Sequence, residues 1–357
     1  MFHGTYKEND VIFLLKKIDI KEIDIENKEK LIQSGEKHYS QMLSFEKEPS
    51  KEYLSVFYES LELNKEEFAK DILYISSIIK SKNKPVLVSL ARAGTPIGVL
   101  IKRTIKDIFN KDINHYSISI IRDKGLDLNA LNYIVKNNTN SEIVFLDGWT
   151  GKGVISRELK KSVQIFNKNF NTNISNDLYV LSDISGNADY SATNKDYLIP
   201  SAILNSTISG LISRTMTDID GLEPTDFHAC KFFNHLIDHD LSLWFIDYMM
   251  KIIRKIDLKY LKKDLLNNNE TLKQESNKFI IKMMKKYSIK DINHIKPGIG
   301  ETTRVLLRRV PERLLIKDID SNQVKHLIVL AKEKGCIIEE IKDMPYNAVG
   351  LIAKVKG

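Results

Sequence analysis

The stretch Ser141-Glu-Ile-Val-Phe-Leu-Asp147-Gly-Trp-Thr150-Gly-Lys-Gly153-Val-Ile constrains this chain most. It reads as a buried strand, an acid, a small-residue loop and the start of a helix. An unbroken apolar run of this kind suits a central parallel strand covered on both faces, which commits the chain to an α/β fold. Gly148, Gly151 and Gly153 surround Thr150 and Lys152. Glycines let backbone N–H groups approach a phosphate closely, and a helix N-terminus adds a favourable dipole. Asp147 at the strand end suits sugar hydroxyls or a metal-bound phosphate. The pattern asks for a phosphorylated sugar or nucleotide at the carboxyl edge of the sheet.

Two standard phosphate motifs do not fit. A P-loop needs Gly-x-x-x-x-Gly-Lys-Ser/Thr; here the spacing is short and Gly153 stands where the hydroxyl residue belongs. The dinucleotide fingerprint Gly-x-Gly-x-x-Gly is absent. An ordinary strand-to-helix turn is the plain alternative. Neighbouring segments argue against it. Pro85-Val-Leu-Val-Ser-Leu-Ala-Arg92-Ala93-Gly94-Thr95 is a second strand, turn and helix start, and His115-Tyr-Ser-Ile-Ser-Ile-Ile-Arg122-Asp-Lys124-Gly125 is a third. Three successive strands thus place charged or glycine-rich chemistry at one end. Leu178-Tyr-Val-Leu-Ser-Asp183 extends the same sheet, making Asp183 a secondary candidate, and Arg214 follows a Ser/Gly run where it could meet a phosphate or an acidic substrate.

That order resembles the type I phosphoribosyltransferases. The resemblance implies that Arg92, Ala93 and Gly94 form a pyrophosphate loop and that Arg122 and Lys124 are a catalytic basic pair on a mobile loop. It also implies that Asp147, Gly148, Thr150, Gly151, Lys152 and Gly153 hold the ribose 5-phosphate. One acid stands where most members have two adjacent ones. Segments such as Gln33-Ser-Gly-Glu-Lys-His38-Tyr39-Ser40, Ile199-Pro-Ser-Ala-Ile-Leu-Asn205 and Lys296-Pro-Gly-Ile-Gly300 carry a closer resemblance. They are similar to the bacterial phosphoribosyltransferase-like proteins of tellurium-resistance and stress-response gene clusters, some of which carry the label cysteine protease. The implied fold is a Rossmann-like parallel sheet with helical additions. The implied reaction is Mg²⁺-dependent transfer from phosphoribosyl diphosphate to an unidentified, nucleobase-like acceptor. The alternative is a regulator that senses phosphoribosyl diphosphate and binds RNA. A third reading is proteolysis through Cys230, with His228, His235 and His239 near it in sequence; a helix would set His228 and Cys230 on different faces.

The 357 residues organise into four expected regions. These are a mainly helical extension (1–80), the phosphoribosyltransferase-like core (81–220), a helical region (221–305) and a small terminal module (306–357). In the extension Phe68, Ile72, Ile75 and Ile79 form one helical stripe. The terminal module reads as strand Arg313–Lys317, a helix opened by Ser321 and stopped by Gly335, and strands from Cys336 and Ala348. This β-α-β-β order is similar to the Pelota RNA-binding module, which adds RNA to the expected partners. Two cysteines, no long apolar run and no secretory signal make the cytoplasm the default compartment, without a membrane partner. The net charge of +7 suits phosphate-rich ligands, and equally a well-solvated surface. A homodimer is a further expectation.

Overall fold

The computed structural model describes residues 1–261, 266–267 and 270–353. Residues 262–265 and 268–269 of the expected helical region, and 354–357 of the expected terminal module, lie outside them. The N-terminal segment carries β1 (Ile12–Phe13), β2 (Lys16–Lys17), α1 (Ile25–Gln33) and α2 (Lys51–Ile79). Then come β3 (Val86–Ala91), α3 (Gly94–Phe109), β4 (His115–Ile121), β5 (Gly125–Leu126), α4 (Leu128–Asn137), β6 (Ile143–Thr150), α5 (Val154–Phe170), β7 (Leu178–Asp183) and β8 (Tyr190–Thr193). The remainder is β9 (Ala229–Cys230), α6 (Ser242–Ile253), β10 (Leu266–Asn267), α7 (Glu270–Lys286), β11 (Ile295–Pro297), α8 (Ile299–Arg308), β12 (Pro311–Ile316), α9 (Lys325–Glu333), β13 (Ile337–Glu340) and β14 (Ala348–Ile352).

The main sheet runs β1-β4-β3-β6-β7-β8-β10, with β5 on β4. It is parallel except at β5 and β10. Side chains alternate along each strand. Leu87, Val144, Leu146 and Leu181 face one core, shared with Ile72 of α2, Leu100 of α3 and Phe245 of α6. Val86, Val88, Phe145 and Val180 face the other, shared with Leu131 of α4 and Leu159 and Phe166 of α5. Because β3, β4, β6 and β7 are mutually parallel, Arg92, Arg122, the 151–153 loop and Asp183 all arrive at one sheet edge.

The C-terminal strands form a separate sheet, β11-β14-β12-β13. The main core nonetheless continues into it, since Ile299, Leu306, Leu314, Ile316 and Leu327 belong to the same apolar cluster as Leu87 and Phe245. Polar staples cross the seam as well. Asp196 accepts from the Ile299 N–H (2.9 Å) and the Asn347 N–H (2.7 Å), and Gln323 donates to Asn64 (2.7 Å). Ser321 does not cap α9. Its hydroxyl accepts from the Gln323 N–H (3.3 Å) in the preceding turn, and the helix starts only at Lys325. Gly335 ends that helix region with φ +63°.

Candidate functional site

The site grows from the end of β6. Gly153 is the N-cap of α5 with φ +70°, and a Cβ there would lie 2.2 Å from the Asn187 side-chain oxygen, so glycine is required twice over. Beneath the loop, buried Thr150 donates to Asp183 and accepts from Ser185 (2.9 Å). The Asp183 carboxylate also accepts from the N–H groups of Ser185, Asn187 (3.0 Å) and Ala188 (3.0 Å). It is therefore a staple that shapes the loop from below, and it does not line the cleft as a ligand group.

Above the loop lies a cleft with two lobes. The deep lobe, about 410 Å³, is lined by Ala93, Asp147, Trp149, residues 150–156, Lys296 and Arg304. The outer lobe, about 900 Å³, extends past Tyr39, Glu46, Tyr53, Lys290 and Arg309. Arg92, Arg122, Asn205, Arg214, Asn293 and Lys296 border both. Ten basic and five acidic side chains line the two lobes, so the cleft carries a net positive field.

Most of these cations are held in place. Arg92 donates to Asn205 (2.7 Å), to the Ile212 carbonyl (3.0 Å) and to Glu46 (3.3 Å). Arg122 and Arg214 both stack on Tyr39, at 4.9 and 5.2 Å from the ring centroid. The Arg122 guanidinium also donates to Asn293 (2.9 Å), and Arg214 to the Tyr39 and Met42 carbonyls. Arg122 is thus anchored from four sides, counting its N–H on the Tyr39 hydroxyl (2.8 Å) and its link to Asp123 (3.1 Å). An unattached loop is not what the structure places here. Lys124 turns away to Asp218 (2.6 Å) and lines neither lobe, and Gly94 and Gly148 are packed beneath the surface. Arg304 lies over Trp149 at 4.7 Å and donates to Glu301 (2.9 Å).

Burial shifts several groups in the cleft, Asp147, Lys152 and Lys296 among them. The Asp147 carboxyl, which accepts from the Gly148 N–H (2.8 Å), is pushed up to about 7 by burial, with Arg304 opposing. Lys152 donates to the carbonyls of Ile292 (2.6 Å) and Ile295 (2.9 Å), and burial with nearby Lys296 pushes it down to about 7. Lys296 is lowered by burial foremost, with Arg309 and Arg122 adding to it and Glu301 opposing. Among the described residues no group of three or more His, Cys, Asp or Glu could hold a metal ion. The expected Mg²⁺ was to arrive on a diphosphate.

Trp149, Asn205, Asn293, Lys296 and Arg304 were not singled out as site residues from sequence. Their signal was weak. Lys296 precedes a Pro-Gly-Ile-Gly run that opens a helix, but nothing local says that this helix end meets the β6 loop.

The cysteines lie elsewhere. Cys230 is 0% exposed, and burial pushes its thiol up to about 12. It sits on a strand, paired with Lys17, so His228 two residues earlier shares its face, which corrects the helical assumption. The His228 ring nonetheless bonds Ser119 through Nδ1 (2.8 Å). Cys336 is buried in the terminal module, its thiol pushed up to about 11 by burial. A nucleophilic cysteine needs a lowered pKa and access, and neither has them here.

Comparison with known proteins gives two family matches. Residues 4–250 match the family described as "Tellurite-like stress resistance cysteine protease StiP", and residues 274–354 match the PELOTA RNA binding domain. A curated relative from Acinetobacter baylyi (strain ATCC 33305 / BD413 / ADP1), named "Cysteine protease StiP", is 38% identical over 366 residues, covering 99% of this chain and 95% of the relative. These findings overturn the phosphoribosyltransferase identification. With it fall the glycosyltransferase activity, the phosphoribosyl diphosphate substrate and the sensing alternative, because neither match names such a protein. The glycine-rich loop and its cations are real features. The error lay in reading one reaction from chemistry that many functions share. Among the described residues no helix is long and apolar enough to cross a membrane.

Proposed function

Because the chain belongs to the StiP family of tellurite-like stress-resistance proteins, we propose that it serves stress resistance by holding RNA in the cleft between its two matched segments. One observation carries this reading: cations from both segments converge on a single groove. Arg92, Arg122 and Arg214 come from the StiP-matched part, and Lys296, Arg304 and Arg309 from the PELOTA-matched part. Phosphate contacts supply most of the affinity of such grooves. Binding of a short single-stranded RNA across a salt series is the test. Affinity should fall steeply with salt, and Arg122→Ala and Arg309→Ala should each flatten that slope by about 0.7. Salt-independent binding, or none, refutes the reading.

The relative's printed name favours a second reading, proteolysis. In this chain it runs through Cys230, the cysteine inside the StiP-matched residues. The thiol would have to leave the β2–β9 pairing that covers it before it could ionise and attack a carbonyl. Digestion of a denatured protein substrate by the parent chain and by Cys230→Ser decides it. Loss of cleavage in the variant supports the protease; equal cleavage, or none by the parent, removes Cys230 from the account.

A further inference from the structure

One stretch of chain, residues 39–46, already holds the three arginines that the StiP-matched part brings to the cleft. Arg122 and Arg214 lie on the Tyr39 ring, and Arg214 donates to the Tyr39 and Met42 carbonyls. Arg92 donates to the Glu46 carboxylate (3.3 Å). Of residues 39–46 only Glu46 is charged. Its second oxygen accepts from the Ser206 N–H (2.8 Å) and the Ser206 hydroxyl (2.6 Å). A guanidinium, a backbone N–H and a hydroxyl converging on one carboxylate are also the donor types that grip a phosphate.

The position of this contact matters as much as its chemistry. Arg92 and Asn205 border both lobes, and Glu46 lines the outer one beside them. An RNA strand lying along both lobes brings a phosphate up to this carboxylate. The Glu46 and Arg92 side chains are only 17% and 19% exposed, so repulsion there is weakly screened. The backbone around Glu46 is free to give way. Residues 45–50 form neither helix nor strand, and Phe45, Lys47 and Glu48 are exposed. Segments of this kind open at low cost. Side chains tether it: Phe45 stacks on His235 at 5.0 Å between centroids, and Glu48 pairs with His239 (3.2 Å).

Resting on the RNA reading above, we propose that the Glu46 carboxylate is an internal stand-in for a phosphate, and that RNA seats fully only when its own phosphate replaces Glu46 on Arg92 and Ser206. The chain thus competes with its ligand for one subsite. Such competition lowers apparent affinity by the fraction of molecules in which the subsite is open.

The test uses the full chain and the single-stranded RNA of the salt series. Glu46→Gln should bind about tenfold tighter than the parent. Its salt slope should steepen by about 0.7, the mark of one added phosphate contact. Glu46→Asp keeps the charge but reaches less far, so it should show a smaller gain. Ser206→Ala added to Glu46→Gln should cancel part of the gain. Glu48→Gln removes an equal charge two residues away and should gain less than about twofold. No gain in either Glu46 variant, whatever its effect on Tm, makes the contact a structural staple and overturns the inference while leaving the RNA reading intact. An equal gain in Glu48→Gln reduces the effect to net charge and also overturns it. So does a gain that survives Ser206→Ala in full. Absence of RNA binding in the parent and every variant sinks both readings.

Discussion

Replacing Gly153 with alanine tests the loop geometry on which the site depends. Two costs combine. An L-residue held at φ +70° is strained by about 1–2 kcal/mol. The new methyl would also overlap Asn187, at 2.2 Å from its oxygen and 2.9 Å from its Cβ. To clear it, Asn187 must give up its hydrogen bonds to the Ser185 carbonyl (2.9 Å) and hydroxyl (3.0 Å). At about 0.5–1.5 kcal/mol net each, these add about 1–3 kcal/mol. The expected loss is about 2–5 kcal/mol, or a fall in Tm of roughly 3–7 °C for a cooperative unit of this length, by circular dichroism or calorimetry. Gly35→Ala is the internal control. That residue has φ +78° with nothing within 4 Å of its virtual Cβ, so it should show the backbone strain alone. If Gly153→Ala costs no more than Gly35→Ala, the close packing of the loop on Asn187 is wrong.

Asp183→Ala should destabilise the chain by about 3 kcal/mol or more, since it strips the loop's backbone and Thr150 of their shared acceptor; a change under about 1 kcal/mol in urea unfolding would contradict the staple. Asp147 gives a pH signature. Its folded-state pKa is raised from 3.8 to about 7, so the folded chain keeps a proton that the unfolded chain releases near 4. Its contribution to stability is therefore full below about 4, falls as pH rises to about 7, and is level above that. Thermal melts across this range should lose that slope in Asp147→Asn. The buried Cys230 thiol should resist iodoacetamide at pH 8 in the native chain and react after denaturation, read by mass spectrometry; rapid native labelling would show that the β2–β9 pairing opens readily.

The central strands were legible because burial on both faces writes continuous apolar runs, as in Val86–Ala91 and His115–Ile121. The Phe68, Ile72, Ile75 and Ile79 stripe was legible because α2 is long enough for its period to repeat. Strands of two or three residues, such as β1, β2, β9 and β10, carry no measurable period. Their pairing is set by tertiary contact, so the short strand carrying Cys230 fell inside a region expected to be helical. The β6 loop was visible as anion chemistry. Its Lys296 partner was not, because it comes from roughly 145 residues further on and only the docking of two sheets brings it near. Sequence also could not separate one anion-binding function from another.

The continuous core across the seam changes what ligand binding does to the molecule as a whole. Ile299, Leu314 and Leu327 pack in the same cluster as the main sheet, and Asp196 ties α8 and the approach to β14 to the end of β8. The two matched segments should therefore melt as one cooperative unit. A ligand lodged in the cleft touches both sides of that unit, so its binding energy resists their separation directly. Occupancy would then show as slower hydrogen exchange at the Ile299 and Asn347 amides, and the protein's thermal stability would report its ligand load.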